Sequence, residues 1–331
     1  MKIGFIEPHL LTFGGIRRIV DMANRLSDRG HDVTIYHSDG SPCTWLEVRA
    51  KIATGRAVLD ADHDVILYND PELEDMYLAT HARSKVTFYY ALGLYRRDLL
   101  AGFHPTIYMG RHKRTRYLRR CLRSPHVNLA NSTWIHRWLQ EAGFQSILCM
   151  GGVNFDIFHP VDTPRDDGTA GAFRILCSGD RRLGKGTDTI EAAVGIVRRE
   201  LPDVVLETYH GKGIPQDEMA ATYGRADLFA DATWNNGGWN NVVAEAMACG
   251  VPVVCTHNGQ VEDFAMDEQT ALMSERHDVE ALAANILRMA HDSELRTRIA
   301  SNALAHIRTF EWDKSIARFE QIAAELTGAA P

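Results

Sequence analysis

The chain has 331 residues, 45% of them hydrophobic and 24% charged. At roughly 150 residues per domain that length points to two domains or one large α/β unit, and the composition excludes collagen, coiled coil and a disordered chain. The net charge of -7 divides unevenly: residues 1–160 hold 20 Lys and Arg against 16 Asp and Glu, while residues 161–331 hold 16 against 27, so the two halves face different partners.

The first apolar run, Lys2–Glu7, predicts a β-strand, and Glu7-Pro8 interrupts it where a signal peptide needs an unbroken apolar core. No window approaches the roughly 18 uncharged apolar residues of a membrane span. The expectation is a cytoplasmic protein, with the inner membrane face as a peripheral address. Thr12-Phe13-Gly14-Gly15 predicts a turn, and Ile16, Ile19, Val20, Ala23 and Leu26 recur at helical spacing. Gly30 stops that helix and Val33–Tyr36 is the next strand, which makes a βαβ unit and hence a parallel sheet. Further strands are expected at Asp64–Tyr68, Val86–Tyr90, Val127–Ala130 and Ile147–Met150. The apolar periodicity stops around His159–Gly168 and the charge balance changes sign nearby. It restarts with strands at Phe173–Ser178, Val204–His210, Leu228–Ala230 and Val251–Thr256 and helices at Asp188–Glu200 and Val242–Cys249. The expected organisation is a first domain over 1–160, a linker over 161–171 and a second domain over 172–309. A final helix over 310–331 is expected to pack back toward the first domain. The six cysteines are scattered, several within apolar runs, as buried free thiols are.

Four segments could carry chemistry. Gly14-Gly15 ahead of a helix lets a ligand approach backbone N–H groups that favour an anion, although an ordinary tight turn would look the same. Ser178-Gly179-Asp180-Arg181-Arg182-Leu183-Gly184-Lys185-Gly186 lies between a strand and a helix. Its two guanidiniums and one ammonium suit a diphosphate, and a solvated basic turn is the plainer alternative. In Trp234–Val254, Asn240 or Asn241 is a good N-cap and Gly250 a good helix stop. Glu245 falls one turn into that helix, where a carboxylate can accept a pair of hydroxyls such as those of a ribose. The fourth segment holds seven cations and no acid: Arg111, Lys113, Arg114, Arg116, Arg119, Arg120 and Arg123. Such a run docks on anionic lipid or nucleic-acid phosphates, or is simply a solvated helix face. No H-E-x-x-H, paired C-x-x-C or G-x-S-x-G occurs, so metalloenzyme and serine hydrolase chemistry are not expected.

In order along the chain, Phe13-Gly14-Gly15-Ile16-Arg17-Arg18, Gly152–Pro160, the Arg181/Arg182 to Lys185-Gly186 loop, Glu245-Ala246-Met247-Ala248-Cys249-Gly250-Val251-Pro252 and Phe310-Glu311-Trp312 resemble the retaining glycosyltransferases of family 4, group 1. The resemblance implies an α/β fold of the GT-B type, two doubly wound Rossmann-like domains facing across a cleft. It implies transfer of a sugar from a nucleotide-diphosphate donor to a hydroxyl with retention, no bound metal and no other cofactor. Arg181 or Arg182 and Lys185 would hold the diphosphate, with Asn240 and Asn241 at the supporting helix N-terminus. Glu245 would take the ribose, and Gly14 and Gly15 would close over the donor. For a catalytic residue the candidates are Lys185 and Tyr90, which stands where many members carry a His.

The chain departs from the family where the first of two glutamates would fall, at Gly237, and in having only nine residues between Gly213 and Tyr223. The basic first half favours an anionic acceptor, lipid-linked or polysaccharide, with a hydroxylated base in DNA as the alternative. A non-catalytic nucleotide-sugar-binding protein and a GT-B sugar-nucleotide epimerase are the readings from other classes.

Overall fold

The structure, a computed structural model, describes residues 1–12, 14–70, 73–93, 126–164, 171–234 and 237–328. Contacts divide the chain into a first unit, Met1–Gly152 with Trp312–Pro331, and a second, Val153–Glu311. The sequence puts the boundary at 160. The structure moves it, because the Val153 N–H donates to the Phe310 carbonyl at 2.8 Å and Val153 bridges Glu311 in parallel. Of the expected linker, residues 165–170 lie outside the described residues.

The first unit is built on β1 (Lys2–Glu7), β2 (Asp32–His37), β3 (Lys51–Thr54), β4 (Asp62–Tyr68), β5 (Arg83–Ala91), β6 (Val127–Ala130) and β7 (Ile147–Leu148). All are parallel, in the order β3-β2-β1-β4-β5-β6-β7. A parallel sheet covered on both faces reads as continuous apolar runs rather than alternation, and successive residues of each strand feed two separate cores. Phe5, Leu67, Phe88 and Leu129 pack under α1 (Gly14–Asp28) and the final helix, while Ile6, Tyr68 and Tyr89 pack under α2 (Leu73–His81) and α3 (Thr133–Glu141). The final helix runs over Trp312–Thr327. Its Phe319 ring meets Phe88 edge-on at 5.7 Å, and its Glu320 carboxylate takes Arg29 at 2.7 and 2.9 Å and His31 at 2.8 Å. The buried Arg18 guanidinium lies over the Trp312 ring. Gly151 is what lets it in, since a Cβ there would sit 1.3 Å from Arg18 Nη1.

The second unit holds β8 (Arg174–Cys177), β9 (Val205–Thr208), β10 (Leu228–Asp231), β11 (Val253–Thr256) and β12 (Leu272–Ser274), again all parallel, in the order β12-β11-β10-β8-β9. On one face α4 (Thr187–Val197) and α7 (Val279–His291) bury Ile190, Val194, Leu282 and Ile286 against Ile175, Cys177 and Val254. The unit also contains α5 (Met219–Gly224), α6 (Asn241–Ala248) and α8 (Ser293–Ile307), the last packed on α6. The short helix α5 is all that stands between β9 and β10 beyond one 3-10 turn, so β9 is left as a sheet edge. Five cysteines, Cys43, Cys149, Cys177, Cys249 and Cys255, are free thiols. Among the described residues no helix is long and apolar enough to cross a membrane.

Candidate active site

In doubly wound sheets ligands bind beyond the carboxyl ends of the strands. In the second unit those ends are held by a dense side-chain network. The chain leaves β8 through Ser178 and Gly179, whose φ of 75° is in the left-handed region and whose missing Cβ would stand 2.5 Å from Thr208. It enters α4 at Gly186, where a Cβ would lie 2.0 Å from the Ala232 carbonyl oxygen. These two glycines press the loop between the ends of β9 and β10, and Trp234 N–H fastens it by donating to the Gly184 carbonyl at 2.8 Å.

Within the loop the two expected phosphate ligands are both engaged by acids. Arg182 donates through Nε and Nη2 to the Asp180 carboxylate at 2.6–3.0 Å. Asp180 is 4% exposed; burial works against its charge, but the Arg182 hydrogen bonds hold its pKa below the ordinary carboxylate value. Arg181 pairs instead with Glu191 of α4, and both are largely in solvent. Lys185 differs: among the described residues it makes no ion pair within 4 Å, and its charge acts on the buried Asp231. Arg181, Arg182, Leu183, Thr187 and Trp234 line a hollow of about 200 Å³ beside the start of α4.

Asp231 ends β10 and is missing from the sequence-based candidates. Burial raises its pKa, and the Lys185 charge and hydrogen bonds oppose that rise. Its carboxylate accepts from Thr233 N at 3.1 Å, Thr233 Oγ1 at 2.9 Å and Asn240 Nδ2 at 3.0 Å. Asn240 is the N-cap of α6 and accepts from Val243 N at 3.3 Å, so both ends of its amide serve the scaffold. What it offers a ligand is the helix N-terminus it fixes, with the unused N–H groups of the first turn. Asn258 and Thr256 both donate to the Thr233 carbonyl, at 2.9 and 3.0 Å, which ties the end of β11 to the same turn.

Glu245 lies one turn into α6 and is 5% exposed. Its Oε2 accepts from the fully buried Tyr223 hydroxyl at 3.2 Å, and Tyr209 stands 3.3 Å behind Tyr223. Neither tyrosine is a candidate by sequence: Tyr209 falls inside the strand expected over Val204–His210, and only the structure ends that strand at Thr208. Trp239 packs on Phe264 and Phe310 at 4.7 and 5.3 Å and so shapes the turn before Asn240.

The remaining candidates belong to the first unit. Gly14 and Gly15 open α1 and are exposed. A Cβ on Gly15 would meet only Leu92, at 3.6 Å, so nothing in the described residues around it requires glycine. Tyr90 is a core residue, 1% exposed, with its hydroxyl donating to the Cys149 carbonyl at 2.8 Å. Burial drives its pKa far up, and that geometry gives it no access to a sugar. The basic run from Arg111 to Arg123 lies outside the described residues, as do Asn235 and Asn236. No group of three or more His, Cys, Asp and Glu capable of holding a metal ion occurs among the described residues.

Residues 173–292 match the model of the family described as glycosyl transferases group 1. The match falls wholly within the second unit. The matched segment opens at β8 and closes at the start of α8, and contains every residue of the network around Lys185, Asp231 and Glu245. The D-inositol 3-phosphate glycosyltransferase of Salinispora tropica is 34% identical over 150 residues, covering 43% of this chain and 28% of that protein. That of Xylanimonas cellulosilytica is 27% identical over 215 residues, 54% of this chain and 51% of that protein. The chain thus aligns with about half of these relatives or less. Among solved structures, sucrose-phosphate synthase from Thermosynechococcus elongatus is similar with a TM-score of 0.76 at 16% identity, over 99% of this chain and 100% of that one. Anabaena HepE in complex with UDP is similar at 0.75 and 16%, over 98% and 100%. These likenesses give the fold, two Rossmann-like units of the GT-B type.

Proposed function

We propose that the chain is a retaining glycosyltransferase that moves a sugar from a nucleoside diphosphate donor to an acceptor hydroxyl and needs no metal for the transfer. The observation that carries this reading is the arrangement at the ends of β8 and β10. A half-buried lysine, a capped helix N-terminus and a buried glutamate fixed by a tyrosine surround one strand end. When the bond from the anomeric carbon to the diphosphate oxygen breaks, negative charge grows on the diphosphate. Preorganised cations and backbone N–H groups stabilise it. Lys185 supplies the cation, α6 the N–H groups, and Glu245 accepts the ribose hydroxyls. Arg181 joins them at low cost, because its pair with Glu191 is exposed and such pairs contribute roughly 0–1 kcal/mol.

UDP is the first donor base to try, since the similar Anabaena HepE structures hold UDP and UDP-glucose. The acceptor is an anionic hydroxyl compound. The similar D-inositol 3-phosphate glycosyltransferases are named for an anionic acceptor, and the Arg111–Arg123 run supports a negative partner. Thermal shifts of the full chain with UDP, GDP and ADP test the donor half, because a ligand at 100 times its Kd stabilises the native state by about 2.7 kcal/mol. One base is expected to raise the midpoint, and Glu245→Ala to remove most of that rise. An unchanged rise in the variant overturns the ribose role, and no rise with any base overturns the transferase.

A further inference from the structure

In the first unit β3-β2-β1 extends to one side and β4-β5-β6-β7 to the other. The chain leaves β1 through α1, packed on the face of Phe5 and Leu67, and leaves β4 through α2, packed on the opposite face with Ile6 and Tyr68. Connections that depart to opposite faces open a crevice at the carboxyl ends of the two strands between them. Ile6 is paired with Tyr68, so Glu7 and Asn69, one residue further on, stand at its mouth. Glu7 is 1% exposed. Asn69 Nδ2 donates to Glu7 Oε1, whereas the buried Oε2 has no hydrogen-bond partner among the described residues. An unmade hydrogen bond on a buried polar atom is costly, so this oxygen calls for a donor. Burial first, and then the charges of Asp75 and Asp70, raise the Glu7 pKa. The charges of Asp75 and Asp70 disfavour a phosphate beside Glu7, while a hydroxyl, which is neutral, supplies the hydrogen bond that Oε2 lacks.

We propose that the crevice between the ends of β1 and β4 receives a hydroxyl group of the acceptor, which donates to Glu7 Oε2 while Asn69 holds the carboxyl in place. The word acceptor rests on the transferase reading above; the polyol site itself does not. The acceptor is then a polyol at this end, and its anionic group is held away from Glu7, Asp70 and Asp75.

Ligand-observed NMR titration of the full chain tests this with myo-inositol as the neutral polyol, glucosamine as the ammonium-bearing probe and inorganic phosphate as the anion. Myo-inositol is expected to bind. Glu7→Gln, which turns the Oε2 acceptor into a donor, is expected to weaken it about tenfold or more, and Asn69→Ala several-fold. Both variants are expected to keep the wild-type thermal shift with UDP, which also reports that they fold. Wild-type affinity for myo-inositol in Glu7→Gln overturns the proposal, as does wild-type protein that binds no myo-inositol. A Glu7-dependent preference for glucosamine or phosphate overturns it as well, by making this an ammonium or an anion site. Glu7-dependent myo-inositol binding in a protein that no nucleoside diphosphate stabilises would sink the transferase reading and leave the polyol site standing.

Discussion

Each unit buries one carboxyl group at the end of a central strand, beside the point where its sheet changes direction, and the two are surrounded differently. Asp231 accepts three hydrogen bonds and feels the charge of Lys185. Among the described residues Glu7 has one donor, an oxygen with no partner, and two further acids that act on its charge. A fully satisfied acid is scaffold: it fixes Asn240, and through it the helix N-terminus that faces a ligand. A half-satisfied acid is itself the contact. Strand ends on either side of a topological switch point therefore serve opposite chemistries in the two units. On the proposed function, the second unit is arranged around the negative charge of a diphosphate and the first around a hydroxyl donor.

The largest test of this contrast is Lys185→Ala. Removing the cation from the second crevice is expected to lower turnover about 10²–10³-fold, whereas Glu7→Gln leaves nucleotide affinity at its wild-type value. Steady-state kinetics with near-normal kcat in Lys185→Ala would erase the contrast. Next in size are the two arginines, which look alike in the sequence and are unlike in the structure. Arg182→Ala strips the buried Asp180 of its fork and is expected to cost about 1–3 kcal/mol in denaturant unfolding. Arg181→Ala breaks only an exposed pair, so stability stays within about 0.5 kcal/mol while affinity for the nucleoside diphosphate falls several-fold. Equal stability losses in the two variants would show that the burial of Asp180 does not separate them.

Those arginines mark where sequence reading stops. The parallel strands, the Asn240 cap and the helix ending at Gly250 were legible, because each rests on a local pattern of apolar runs, an N-cap side chain or a positive-φ glycine. Strands β3 and β12 escaped notice: Lys51-Ile52-Ala53-Thr54 and Leu272-Met273-Ser274 carry no β-branched apolar run that stands out from the sequence around them. The basic loop gave its composition but not its pairing, which depends on Glu191 ten residues ahead of Arg181 and on the burial of Asp180. Tyr90 looked available because it stands where many members of the resembled family carry a His. The second face of the sheet was already claimed by Tyr89, so Tyr90 turned into the core of the first. Asp231 and Glu7 carried the same faint signal, a single acid closing an apolar strand. Only the count of donors around each separates them, and that count comes from residues distant in sequence.

The smallest expected effect concerns the same count. A carboxyl whose folded pKa is raised binds more protons in the native state than in the unfolded one. It therefore weakens stability as pH climbs from its ordinary value of 4.5 toward the raised folded value. Burial raises Glu7 first, and Asp75 and Asp70 add to it, with Asn69 alone opposing. Gln at this position has no proton to lose. The difference in melting temperature between Glu7→Gln and wild type is therefore expected to move in favour of the variant as pH rises through that window, and to level off above it. A saturating polyol that donates to Oε2 stabilises the ionised carboxylate, lowers the folded pKa and should flatten the wild-type slope. Parallel melting profiles for variant and wild type would mean that Glu7 titrates as an ordinary carboxylate, and that water already supplies the partner its second oxygen needs.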